Sequence, residues 1–292
     1  FLMTQSFTRS SRPLITPRAW FAAALILLAA LGALAQPARA ADRDRIAAFL
    51  EVTGFDVALE SIAFSAGAAP EMLGLDPGLF GSQWTRLSKQ VFDTERMYEM
   101  GLEILEPTLS DEALNHAVTF YASDLGQRLV AAENRTHRIE DDTKKQTEGQ
   151  QILAGLRDSD PDRVALLERM NGAIDADGTS LRALQEIQFR FLMAASAAGV
   201  IELRADADEL RAMLRQNEDK MRAAIRASAL AGAAYTYRDI PNADLTTYTE
   251  ALEQPLMQEV YELLNAVQYE IMANRFEVLA ARMAELRPGQ DI

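Results

Sequence analysis

The chain has two histidines, His116 and His137, and no cysteine. Each histidine stands one helical turn from an acid, Glu112 before His116 and Asp141 after His137. Glu112 and His116 could place two metal ligands on one helix face. A solvent-facing histidine beside an acid is the plainer reading, and it prevails. His137 lies in NRTHRIEDDTKKQTEGQQ (Asn134–Gln151), a stretch so rich in charge that it reads as a solvated helix face. Neither histidine sits near a G-x-S-x-G elbow, so serine hydrolase chemistry is disfavoured. Asp141/Asp142 and Asp206/Asp208/Glu209 supply paired carboxylates of the kind a glycosidase holds across a cleft. In an acidic chain such pairs arise by chance.

Two further patterns could bind metal. AIDADGTS (Ala173–Ser180) offers Asp175, Asp177 and Gly178 but lacks the other ligands and the closing glutamate of a calcium loop, and reads as a capped turn. Met97 and Met100 form an M-x-x-M pair such as copper carriers use, but no methionine-rich box follows, and methionine commonly fills helical cores. The sequence therefore nominates no catalytic, cofactor-binding or metal-ligating residue.

The elements that would position such groups are helical throughout. In Thr85–Leu105, Leu87, Val91, Tyr98, Leu102 and Leu105 recur at three- or four-residue steps with one skipped turn, which predicts one face of a helix. Leu279, Met283 and Leu286 repeat the pattern near the end. No run alternates as a strand does, and Ala, Leu, Glu, Arg, Gln and Met, all good helix formers, dominate. The expectation is an all-α, multi-helix bundle. Breaks are expected at Ser65–Gly81, Arg157–Arg163 and Tyr237–Asp244, with Pro161 suited to a first helical turn.

The halves resemble each other. DRDRIAAFLE (Asp42–Glu51) parallels DPDRVALLER (Asp160–Arg169). LSDEALNHAVTFYASDLGQRLV (Leu109–Val130) parallels IPNADLTTYTEALEQPLMQEVY (Ile240–Tyr261). This predicts two related antiparallel helical halves, 41–157 and 158–292, the second a degenerate repeat.

Residues 1–40 read as an export signal. Arg9, Arg12 and Arg18 precede the apolar WFAAALILLAALGALA (Trp20–Ala35), and Ala38 and Ala40 mark an A-x-A site, predicting cleavage before Ala41. The apolar stretch is short for a retained membrane span. Cleavage removes four arginines and no acid, leaving 25 basic against 43 acidic side chains, a net −18. Such a surface repels nucleic acid and anionic headgroups. A periplasmic or secreted location is expected, with no transmembrane helix after cleavage. Without cysteine, stability there must come from a hydrophobic core.

Leu109–Val130 reads as two helices meeting at a corner. Ser110 caps the first, with Asp111 and Glu112 complementing its dipole. Leu114, Val118 and Tyr121 form an apolar stripe. Ser123 caps the second helix, Gly126 permits close packing, and Leu125, Leu129 and Val130 turn inward. In the second copy Pro255 takes the place of Asp124. This stretch resembles the domain of unknown function 2059 family of exported bacterial proteins, through Ser110, Leu114, Phe120, Tyr121, Ser123, Gly126 and Leu129. Ala113 and Asp124 depart from its pattern, where acid and proline are common. The resemblance implies an all-helical exported domain and brings no activity with it.

Small residues give the remaining lead. FLMAASAAGVI (Phe191–Ile201) and ASALAGAAY (Ala227–Tyr235) suit close helix packing, or the lining of an apolar groove for a lipid, peptide or partner helix. The functional expectation is a non-enzymatic binding or envelope-maintenance module for a protein partner or apolar ligand. The alternatives are an oligomeric scaffold and an enzyme using carboxylates or a histidine.

Overall fold

The structure, a computed structural model, describes residues 42–76, 78–175 and 178–286. The expected export segment, residues 1–40, and Asp177 of the AIDADGTS turn lie outside the described residues.

Local chemistry sets most helix starts. Asp42 opens α1 (Arg43–Val52) by accepting the Asp44 N–H at 2.9 Å. Gly54, at φ 69°, turns the chain into α2 (Phe55–Phe64). The Gly/Pro-rich connection holds a 3₁₀ turn (Ser65–Ala68) and the short α3 (Ala69–Met72). The run expected as one helix over Thr85–Leu105 is two, α4 (Gly81–Val91) and α5 (Thr94–Thr108). It breaks within the skipped turn because Asp93 adopts an extended backbone and caps α5, accepting the Arg96 N–H at 2.8 Å.

The corner at Leu109–Val130 forms as its residue types require. Ser110 Oγ accepts the Ala113 N–H and opens α6 (Asp111–Tyr121); Ser123 Oγ accepts the Gly126 N–H and opens α7 (Asp124–His137), each at 3.1 Å. A methyl on Gly126 would run into the Phe120 carbonyl and the Tyr121 backbone, so the corner closes only on hydrogen. The buried stripe of α6 is Ala113, Leu114, Ala117 and Tyr121. Val118, expected inside, is exposed.

Aspartates open three of the next helices. Asp141 caps α8 (Asp142–Ser159), Asp160 caps α9 (Pro161–Ile174) with Pro161 in its first turn, and Asp206 caps α11 (Ala207–Arg215) in a reciprocal pair with Glu209. Between them Gly178 leads into α10 (Thr179–Ala197). The last elements are α12 (Glu218–Thr236), α13 (Asn242–Leu252) and α14 (Pro255–Met283).

The 29-residue α14 is the spine. It takes α10 along one side and α5 and α6 along another, while α12 lies along α8 and α9 along α13. Gly149 of α8 and Ala231 of α12 meet backbone to backbone: a methyl on Gly149 would run into the Ala231 carbonyl. Phe191 and Ala195 of α10 are fully buried, and Phe191 meets Phe276 of α14 edge-on at 5.3 Å between ring centres. Both small-residue stretches thus serve close helix packing. One hydrophobic cluster runs from Ile46 to Met283, without interruption at residue 157.

Aligned positions of the two similar segments make matching bonds. Arg45 donates to Asp111 Oδ1 at 2.6 Å, and Arg163, in the corresponding place, donates to Asn242 Oδ1 at 2.5 Å. The two corners also interlock. Ser110, at the start of α6, donates to Glu259 of α14 at 3.2 Å, and Arg128 of α7 donates to Asp244 of α13 at 2.7 Å. The first helix of each corner therefore touches the second helix of the other.

Candidate functional site

Where α7, α12, α13 and α14 converge beside the turn between α1 and α2, they leave a cavity of about 370 Å³. Among the described residues, Glu133 of α7 is the one carboxylate in its wall. Its neighbours on that helix explain the placement. Leu129 and Val130 lie one turn back on the inward face and His137 one turn on, so the apolar stripe carries Glu133 into the interior. Gly54 makes room opposite: a side chain there would overlap the Asn134 amide.

Four tyrosines from four helices gather on Glu133. Tyr237, at the end of α12, donates its hydroxyl to Glu133 Oε1 at 2.6 Å, and Tyr248 of α13 donates to the same oxygen at 3.2 Å. The Tyr248 hydroxyl also bonds that of Tyr261 of α14 at 2.6 Å, and Tyr261 in turn bonds Tyr121 of α6. Phe120 stacks on Tyr248 at 5.8 Å between ring centres, closing the cluster from the corner side. Tyr121, Tyr237 and Tyr248 are buried.

This setting moves every titratable group. Burial raises the Glu133 carboxyl above its ordinary value, and the hydroxyls of Tyr237 and Tyr248 oppose the rise by bonding its charged form. Burial raises Tyr121, Tyr237 and Tyr248 well above 10, with the nearby Glu133 adding to each, and raises Tyr261 likewise. Burial, then Lys145, lowers His137 below 6.5. Glu133 as a residue keeps partial exposure, while its carboxyl is closely surrounded by protein apart from the cavity it faces.

Glu133 Oε1 takes both hydroxyl bonds, and Oε2 accepts none from the protein. Oε2 is not sealed in, for among the described residues the fully buried side-chain polar atom without a partner is Ser88 Oγ. The rest of the wall mixes the amides of Asn134, Asn171, Asn265 and Gln268 with apolar Ala58, Met170, Ala233 and Leu264. A second cavity, of about 670 Å³, shares Asn171, Ile174 and Ala229 with the first and is lined further by Leu153, Ala227 and Leu230. Part of the Ala227–Tyr235 stretch thus lines a cavity as well as packing on α8, whereas Phe191–Ile201 lines neither of these two.

The residues singled out in the sequence divide accordingly. Tyr121 and Phe120 reach the cluster, while Leu114 and Leu129 are fully buried beneath it and Ser110, Ser123 and Gly126 build the corner. His116 is partly buried and Glu112 exposed. Among the described residues no three His, Asp or Glu side chains gather as a metal site would need. Asp141 and the Asp206/Glu209 pair cap helices, and Asp175 accepts the Ser180 N–H at 3.2 Å as a turn residue. Met97 and Met100 lie in the core. His137, expected on a solvated face, lines the cavity instead. It is the last residue of α7, so the charged run that follows says little about its side. The sequence reading missed Glu133, although an acid between Leu129, Val130 and His137 at helical spacing was a local signal.

Fold and site together define an all-helical protein with a tyrosine–carboxylate cluster set between two interlocked corners. Residues 95–154, which carry α5 to most of α8, match a family described as an uncharacterized protein conserved in bacteria, DUF2059. The match contains the corner, Tyr121 and Glu133, while Tyr237, Tyr248 and Tyr261 lie beyond it. No curated protein and no solved structure matches the chain. No helix among the described residues is long and apolar enough to cross a membrane.

Proposed function

We propose that the protein is an exported, non-enzymatic binding module whose cavity beside Glu133 takes a small ligand. The observation that carries this reading is Glu133 in the cavity wall, whose Oε1 takes both tyrosine bonds while its Oε2 stays accessible. An accessible carboxylate oxygen in a concave wall can take a ligand's donor in place of solvent. The volume suits a small organic molecule. The tyrosine hydroxyls bond one another and Glu133, and with raised pKa values they stay protonated and give up their protons poorly near neutral pH, which favours holding over chemistry.

Export rests on residues 1–40, and the placement of the cluster between the corners accords with an internal duplication whose two copies clasp one site. A second reading, catalysis, draws on a single observation. Glu133 and His137 stand one turn apart in one cavity wall with their protonation equilibria displaced in opposite directions, as acid–base pairs are.

Native mass spectrometry of the protein purified from the envelope of an exporting bacterium tests the reading. The expected result is a mature chain beginning at Ala41 with excess mass that is lost on denaturation. A retained residue 1–40 segment would overturn export. A clean apo mass, joined to failure of Glu133→Gln and wild type alike to bind small molecules in solution, would overturn the module.

A further inference from the structure

If the cavity is a ligand site, its chemistry narrows what enters, and we infer that the end recognised at Glu133 is a protonated amine. Among the described residues Glu133 is the only carboxylate in the wall and no lysine or arginine lines it, so an anionic ligand would meet a negative group without a counter-charge. The donors open to an anion are neutral amides such as Asn134, Asn171 and Gln268, which bring no positive charge. The hydroxyls of Tyr237 and Tyr248 already serve Oε1, Tyr261 and Tyr121 are tied to that chain, and one Asn265 N–H is held by the Ile174 carbonyl at 3.2 Å. The charged group that remains open is an acceptor, Oε2, in a pocket whose other walls are neutral polar and apolar side chains. An ammonium bonded to a carboxylate is the charge-assisted pair that fits such an acceptor. The amides and Met170, Ala233 and Leu264 suit a short apolar or weakly polar body behind it.

The competing occupant of Oε2 is a proton, which would make Glu133 a donor to a neutral acceptor. Burial raises the Glu133 carboxyl toward that protonated form, the two Oε1 hydroxyl bonds oppose the rise, and an ammonium at Oε2 would oppose it further. The other titratable groups around Glu133 are the four tyrosines and His137, with Lys145 beyond it. Their shifts leave the tyrosines and His137 neutral near neutral pH, so none supplies a rival cation inside the cavity.

Titration calorimetry of the mature protein with hexylamine, hexanol and hexanoate reads the preference directly. Hexylamine is expected to bind about tenfold or more tighter than hexanol, with hexanoate weakest. Its affinity should fall as pH drops through the raised Glu133 equilibrium. Glu133→Gln keeps an oxygen for Tyr237 and should bring hexylamine down to hexanol. Glu133→Gln should keep the helical circular dichroism of the wild type, which separates loss of charge from loss of fold. Hexanol or hexanoate binding as well as hexylamine would overturn the amine assignment while leaving the cavity a ligand site. No binding of any of the three would overturn the assignment, and with a clean apo mass it would take the binding reading down too.

Discussion

Tyr248 is the most constrained residue of the cluster. Its hydroxyl reaches both Glu133 and Tyr261, its ring stacks on Phe120 and meets Tyr237 at 6.0 Å between centres, and it is almost wholly buried. Replacing it with phenylalanine keeps the ring and removes only the hydroxyl, leaving Tyr261 and Glu133 each short of a partner. Tyr248→Phe should destabilise the protein by about 1–3 kcal/mol, measured by urea denaturation with an unchanged m-value. No loss would mean that water replaces the hydroxyl. At this scale sequence reasoning could see Tyr121 through its place in the corner pattern. It could not see Tyr237, Tyr248 or Tyr261, because residues 104 to 140 positions from their partners are brought together only by the fold.

Among the elements, the contact of α8 with α12 turns on one glycine. Gly149 abuts the Ala231 carbonyl, whereas Gly155, two turns on in the same helix, has open space where a side chain would be. Alanine favours a helix over glycine by about 1 kcal/mol at either position. At Gly149 this gain is opposed by overpacking against backbone, which cannot yield as a side chain would, at about 1–3 kcal/mol. Gly149→Ala should therefore lower the melting temperature and Gly155→Ala should raise it, as read by circular dichroism. If both raised it, the two helices would not be in backbone contact. The small-residue composition of Ala227–Tyr235 announced close packing, but not the partner. The skipped turn before Tyr98 likewise announced a defect in the helical run, and Asp93, a good cap, was the reason a break won over a continuous helix.

For the whole molecule, the cluster ties tyrosine ionisation to folding. Tyr121, Tyr237 and Tyr248 have folded values well above the ordinary 10, so they contribute stability that is full below pH 10 and is lost as pH rises through the folded values. Alkaline titration followed by tyrosinate absorbance should thus show a steep step coinciding with loss of helical circular dichroism. A gradual titration of all seven tyrosines with the helices intact would show the cluster to be open to solvent. The all-helical class was legible in apolar spacing because the core follows the helical period almost everywhere. The meeting of the corners was not, since it depends on pairs such as Ser110 with Glu259 that carry no local pattern.

The linked hydroxyls also have a sense of direction. A hydroxyl hydrogen can point toward only one neighbour, so the chain Tyr121–Tyr261–Tyr248–Glu133 has two concerted orientations. With Glu133 negative, each hydroxyl points onward to the carboxylate. With that charge cancelled by a proton, Tyr248 can turn to Tyr261 and Tyr261 to Tyr121. The charge state at the cavity is then written as the orientation of one hydrogen on Tyr121, at the end of α6, where the first corner begins.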